Sequence, residues 1–442
     1  MRPRGAVQSV VARSNPRNGG FVSALGDTAP VQSGSSFPRW LLLTAILLIP
    51  ASLDVRLIGD GLKFTSGRAA ITMLVVPALS ILFRPPRKLV ASDLFAFLTS
   101  AWMIGSRIPD DGLNPSAVAS VIEWFGGYLV GRAYFYGPYA LKEFLHIFKV
   151  VTFLVIMIAV LDQVFQQNVA ETAVAMIMQT QWGGSQYRFG IVRAASTIQM
   201  AELYGTFCCV AASVFLFLEG NKRARYWWAG FSLFGCFLAI SSGPLLVFVL
   251  VVTFYVYDQL FHRYATRWKL INVVFLCFIA IVFVAAKHPL SWVVSHVTLD
   301  PETGYFRLYV FEYVSQQISL SPMVGHGFNA IGDDEFLSTT TVDNVWLVCA
   351  ARYGIPMIVF FLLTNLSTYV RLRSRSRGQG VDPFMMSAGT GFTQIIMTFV
   401  LVGLTVHFWN AMWMLWAVCI GIRGSIKEAL VHGKHNRALE LS

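Results

Sequence analysis

Apolar residues run through this chain in blocks of about 16 to 28, each bounded by short polar stretches, and no block alternates with the period of two that marks a strand. Blocks of that length match the roughly 20 residues a helix needs to cross a hydrocarbon core. About twelve spans are expected. In order they are Trp40 to Leu57, Arg68 to Phe83, Ala91 to Ser106, Pro115 to Phe135, Glu143 to Gln163, Met200 to Leu218, Tyr226 to Ser241, Gly243 to Phe261, Leu270 to Ala286, Asp343 to Val370, Phe384 to Leu404 and His407 to Ile422. The seventh and eighth meet at Ser241-Ser242-Gly243-Pro244, where Pro ends a helix and Gly permits a tight turn. The expected fold class is all-α, a polytopic bundle forming one domain over residues 39–423. A disordered cytoplasmic tail, 1–38, precedes it, and a second cytoplasmic tail, 424–442, follows.

Composition agrees: 55% of the 442 residues are hydrophobic and 13% are charged, about half the charged share of a soluble protein. The formal net charge of +11 does not point to nucleic acid, because the basic residues are grouped in short loops. Arg84, Arg87 and Lys88 follow one apolar block, Lys222, Arg223 and Arg225 another, His262, Arg263, Arg267 and Lys269 a third, and Arg371, Arg373, Arg375 and Arg377 a fourth. Under the positive-inside rule these loops are cytoplasmic, and an even number of spans returns both termini to that side. The six cysteines lie inside apolar blocks with no metal-ligand spacing; no metal or cofactor is implied.

Two outward segments, 166–199 and 287–342, exceed the length a connection needs. The second contains Trp292, Tyr305, Phe306, Tyr309, Phe311 and Tyr313, and Leu308, Phe311, Glu312 and Ser315 fall at helical spacing, predicting an amphipathic helix at the membrane interface. The first contains Arg188 and Arg193, on the side where basic residues are depleted. A guanidinium there can hold a phosphate bidentately or snorkel to lipid headgroups. Arg307 is either a ligand group among aromatics or a helical partner of Glu312. His326 sits between Gly325 and Gly327, and His407 near the last span; each is a base or a structural histidine. Asp343 and Asn344 head a long apolar block, as N-caps or as reacting groups. Glu123 lies within an apolar block, where an ionisable residue is a functional candidate.

Gly126-Gly-Tyr-Leu-Val-Gly-Arg132, Tyr187-Arg-Phe-Gly-Ile-Val-Arg-Ala194, Pro322 to Asn329, Val342-Asp-Asn-Val-Trp-Leu-Val348 and Arg352-Tyr-Gly-Ile-Pro356 occur in an order, and at places relative to the spans, that resemble one family. The chain after Arg39 resembles the O-antigen polymerase and ligase superfamily, within it the exopolysaccharide polymerases of the succinoglycan type. The resemblance implies a GT-C-like membrane glycosyltransferase in the bacterial inner membrane. Such an enzyme polymerises undecaprenyl-pyrophosphate-linked repeat units at the periplasmic face, without a cofactor. Lipid-linked oligosaccharides and the membrane are then its partners, with flippase and chain-length or export proteins beside it.

Carried over by the resemblance, Arg188, Arg193 and Arg307 stabilise charge on the leaving pyrophosphate. Asp343 takes the place of a histidine beside Asn344 as general base, unranked against His326, and Glu123 and Asn344 join the substrate contacts. Where related polymerases carry His-Pro, this chain reads Ser196-Thr-Ile-Gln-Met200. An O-antigen-type ligase using the same donor, and a non-enzymatic flippase with Arg107, Glu123 and Arg132 as interior charges, are the alternatives.

Overall fold

A backbone surrounded by lipid must satisfy its own hydrogen bonds, and the helix does so within one segment. The computed structural model describes residues 36–56, 63–112, 114–180, 184–261, 264, 301–328, 342–369 and 382–439, and they are mostly helical. The first half comprises α1 (Phe37–Leu47), α2 (Ser66–Leu82), α3 (Ala91–Gly105), the single turn α4 (Ile108–Asp111), α5 (Pro115–Val121), a π-helical turn (Ile122–Gly126), α6 (Gly127–Tyr134) and α7 (Gly137–Phe165). Then follow α8 (Val169–Met178), α9 (Ala201–Leu218), α10 (Lys222–Leu238) and α11 (Ser242–Leu260). The last group is α12 (Pro301–Leu320), α13 (Val345–Tyr353), α14 (Ile355–Ser367), α15 (Pro383–Val402) and α16 (Asn410–Leu439). Among the described residues, α7, α9, α11 and α15 are each long and apolar enough to cross a membrane. The chain is a helical membrane protein.

Helix α9 is buried along nearly its whole length, with α10, α11 and α15 packed around it. A second packing centre is the α6–α16 crossing. Gly127 and Gly131 lie four apart on one helix face, and a Cβ on Gly131 would stand 2.3 Å from the Val418 carbonyl oxygen. A Cβ on Gly421 would stand 2.2 Å from that of Tyr128. Small residues at this spacing let backbones touch, as membrane helix pairs require.

At one end of this crossing lies a buried ion network. Arg132 has a fully buried side chain, and its Nε stands 3.0 Å from Asp93 Oδ1. Its Nη1 pairs with Glu428. Arg87 meets the same carboxylate at 3.0 Å and donates to the Arg132 carbonyl at 2.7 Å. The Lys88 backbone N–H donates to Glu428 at 2.7 Å, and the Tyr128 hydroxyl donates to Asp93.

Several expectations are corrected. The first expected span ends as a helix at Leu47, because Pro50 removes a donor and the chain turns into an antiparallel pair, β1 (Asp54–Arg56) with β2 (Lys63–Thr65). The tenth, Asp343 to Val370, is two helices. They break at Gly354, whose φ of +81° is open to glycine at little cost. A Cβ there would lie 2.0 Å from the Met323 carbonyl oxygen, so the loop 322–328 lies directly across the break. It is fixed by hydrogen bonds from His326 N to Ala351 O (2.6 Å), Gly327 N to Arg352 O (3.1 Å) and Ile355 N to Pro322 O (2.8 Å). Buried Arg107 donates to the carbonyls of Val324 and Gly325 in that loop.

The helix at the twelfth expected span begins at Asn410 and continues through the expected tail to Leu439, held by the buried Arg423, Ser425 and Glu428. The expected outer helix exists as α12, but its buried stripe is Val310, Val314 and Ile318, packed on Leu347, Ala350 and Ala351 of α13. Phe311 and Glu312 face outward. The segment 166–199, expected to face outward, also has structure: α8 and a second hairpin, β3 (Tyr187–Arg188) with β4 (Ile191–Val192). The ninth expected span, Cys277, Asp333 to Glu335 and the N-terminal tail up to residue 35 lie outside the described residues.

Candidate functional site

A cavity of about 340 Å³ opens between α2, the α5–α6 segment, α13 and the start of α16. It lies at the end of α2 opposite Arg84, Arg87 and Lys88, so the buried ion network and this cavity occupy opposite ends of the bundle.

Arg68 is presented by the first turn of α2, where Thr65 caps the helix by accepting from the Arg68 N–H at 3.3 Å. Its Nε donates to Glu123 Oε1 at 2.8 Å, and its Nη1 to the Lys63 carbonyl. Glu123 is carried by the π-helical turn, which inserts an extra residue into an otherwise continuous helix and so re-aims the side chain. Arg352 ends α13, just before the Gly354 break, with its guanidinium 5.0 Å from the Phe328 ring centre. Neither the Arg352 guanidinium nor the Lys63 ammonium makes a hydrogen bond or ion pair among the described residues. Three cations and one carboxylate therefore line the cavity. Two of these cations, the exposed Lys63 and the partly buried Arg352, have no counter-charge among the described residues, an arrangement that a bound dianion would complement.

The walls are aromatic, formed by Phe328, Tyr353, Trp409 and Trp413. Trp409 Nε1 and Asn410 Nδ2 both donate to Gln199 Oε1, at 3.1 and 2.9 Å. Gln199 thus braces the rim. His407 lines the cavity from the connection between α15 and α16, its buried Nδ1 without a hydrogen-bond partner among the described residues. Burial, and then the Arg352 charge, push its pKa down to about 3. The unfolded chain binds the extra proton between about pH 3 and the unperturbed value near 6.5, so His407 makes the fold less stable as pH drops through that window. The detergent-solubilised protein is accordingly expected to melt lower at pH 5 than at pH 7, with a smaller decrease in His407→Gln. Equal decreases in both proteins would mean that His407 is not held neutral.

Of the residues singled out from sequence, Glu123 and His407 line the cavity, and Arg188, Arg193, Arg307, His326, Asp343 and Asn344 are not among its lining residues. Arg188 and Arg193 share the β3–β4 hairpin. Arg188 donates to the Ile240 carbonyl at 3.3 Å, while Arg193 pairs with Glu202 and donates to Gln186 Oε1 at 3.0 Å. Arg307 lies on α12, and its buried Nε makes no hydrogen bond among the described residues. His326 Nε2 meets the Gln317 carbonyl at 2.8 Å. Asn344 is the N-cap of α13, accepting from Trp346 N and Leu347 N at 2.9 and 3.1 Å. Asp343 is exposed just before it.

Sequence reasoning missed Lys63, Arg68 and Arg352 as site residues. Arg352 left a trace, a basic residue at the end of a helix ahead of Gly-Ile-Pro, whereas Arg68 read as the boundary of a span. No protein-family model matches the chain, and comparison with characterised proteins gives no match.

Proposed function

We propose that this protein polymerises lipid-linked sugar repeat units, moving a glycan from a polyprenyl diphosphate donor to the terminal hydroxyl of a second lipid-linked unit. The observation that carries this reading is the pair of uncompensated cations, Arg352 and Lys63, beside the Arg68–Glu123 pair in an aromatic-walled cavity. In the proposal the bundle has about twelve spans with both termini in the cytoplasm of a bacterium. The positive-inside rule then puts the cavity at the outer face of the inner membrane, where such units are joined.

The step breaks the bond between the sugar anomeric carbon and the diphosphate oxygen, leaving the electron pair on the diphosphate. Arg352, Arg68 and Lys63 are preorganised to stabilise that developing charge. The acceptor oxygen forms the new glycosidic bond and gives up its proton. Glu123 is the carboxylate at hand to take it, freed as Arg68 turns from it toward the phosphate. Asp343, Arg307, His326, Arg188 and Arg193 occupy the outer loops, outside the cavity, and have a lesser place in this mechanism. A ligase would share the donor chemistry and differ in acceptor. Against a flippase, Arg107 and Arg132 are tied to loop carbonyls and to the ion network, not free along a path.

The test is deletion of the gene in its native host, with lipid-linked sugars and secreted polysaccharide analysed together. Single repeat units accumulating outside the inner membrane without long polymer support the proposal. Units retained on the cytoplasmic face would replace it with a flippase.

A further inference from the structure

At the opposite end of the bundle from the cationic cavity, α10 and α11 both pack on α9 but splay from each other. The groove between them measures about 290 Å³ and is floored by Leu216 of α9. Its sides are Ala229, Gly230 and Leu233 on α10 and Phe248 and Val252 on α11, an almost wholly apolar lining. Gly230 borders open space in it: a Cβ placed there would meet nothing within 4 Å. Tyr226 and Gln259 supply polar groups at one end, next to the start of α10 at Lys222.

That end is basic, and its cations are not equivalent. Arg225 is committed to structure, donating to the Glu219 carbonyl at 2.9 Å and to the Tyr255 hydroxyl at 3.1 Å, which ties α10 to α11 across the groove's end. Of the carboxylates at this end, Glu219 is already paired with Lys149, and Asp258 is buried within α11. Lys222 and Arg223 are exposed and make no ion pair or side-chain hydrogen bond among the described residues. An apolar trough about 10 Å long, the rise of some seven helical residues, therefore ends at two free cations.

We infer that this groove holds one anionic phospholipid of the surrounding bilayer, its acyl chain lying along Gly230 and Leu216 and its phosphate held at Lys222 and Arg223. An acyl chain fits a trough whose lining is apolar and which opens toward lipid. The headgroup is specified by charge, because a zwitterionic lipid brings its own cation to a site that already has two. The donor lipid of the proposed reaction is not the occupant, since its diphosphate belongs at the other end of the bundle. The site is thus independent of the proposed function.

The test uses the full-length protein, purified in detergent and equilibrated with phosphatidylglycerol or phosphatidylcholine, with retained lipids counted by native mass spectrometry. Wild type is expected to retain one phosphatidylglycerol in preference to phosphatidylcholine by about thirtyfold, two basic residues each contributing at the bilayer surface. Gly230→Phe fills the trough and should lose that lipid. Lys222→Ala with Arg223→Ala should keep a lipid but lose the preference, and circular dichroism confirms that both variants stay helical. Equal retention of the two lipids by wild type, or undiminished phosphatidylglycerol on Gly230→Phe, would overturn the inference. So would a cross-link from Gly230→Cys to another segment of the same chain, since protein would then fill the groove.

Discussion

Arg352→Ala is expected to reduce polymer by at least about a hundredfold, the usual loss when one group stabilising a developing negative charge is removed, while membrane-inserted protein stays at the wild-type level. Both halves follow from geometry. The guanidinium lines the cavity and has no hydrogen-bonded or ion-paired partner among the described residues, so its removal strands nothing and sacrifices only the contact with Phe328. A cation–π contact of this kind is worth about 1 kcal/mol. Arg352→Lys keeps the charge but loses the planar fork that fits a phosphate, and should restore part of the product. Arg68→Ala is a less clean test, because it leaves Glu123 buried without its partner at 2.8 Å. The checks are polysaccharide size analysis and immunoblotting of membranes; full-length polymer from Arg352→Ala would remove the cavity from catalysis.

The second large effect concerns stability. Glu428 is almost fully buried and answers both Arg87 and Arg132, so Glu428→Ala leaves two guanidinium groups with Asp93 as the remaining carboxylate of the network. Removing one side of a buried ion pair costs about 3–5 kcal/mol, enough to reduce the level of folded protein severalfold and to lower its melting temperature in detergent. The penalty comes from the stranded charge. A Glu428→Met, Arg132→Met double variant, which leaves Arg87 and Asp93 as one charge of each sign, should therefore recover part of the loss. If Glu428→Ala melts with wild type, the network contributes nothing to stability, and the α6–α16 crossing rests on its glycine contacts alone.

Sequence and structure agree where the physics is local. Apolar blocks and their polar boundaries placed α2, α3, α9, α11 and α15 close to their observed ends, because helix formation in lipid depends on little beyond continuous apolar sequence. The break at Gly354 was written in Gly354-Ile-Pro356, yet a long apolar run hid it. What demands glycine there is the Met323 carbonyl, 31 residues earlier in the chain and 2.0 Å from a would-be Cβ. The face of α12 was misread for a related reason. An amphipathic helix at the interface was expected on the spacing of Leu308, Phe311, Glu312 and Ser315, whereas Phe311 faces out and the slimmer Val310–Val314–Ile318 stripe packs on α13.

The same distinction runs through the site. Glu123 stood out because an ionisable residue in an apolar block is costly and so conspicuous. Its partner Arg68 lies 55 positions away, and Arg352 reaches the same cavity from the far side of the chain. No spacing rule connects such residues. Arg188 and Arg193 were conspicuous as outer-side arginines, but their bonds to Ile240, Gln186 and Glu202 were invisible without coordinates.

The most direct measurement reconstitutes the purified protein in liposomes with polyprenyl-diphosphate-linked oligosaccharide extracted from the native host, and follows glycan length and free polyprenyl diphosphate together. The account predicts a ladder of longer glycans with one polyprenyl diphosphate released per linkage formed, and neither product from Arg352→Ala. Intact single units and no diphosphate release from the wild-type protein would contradict it.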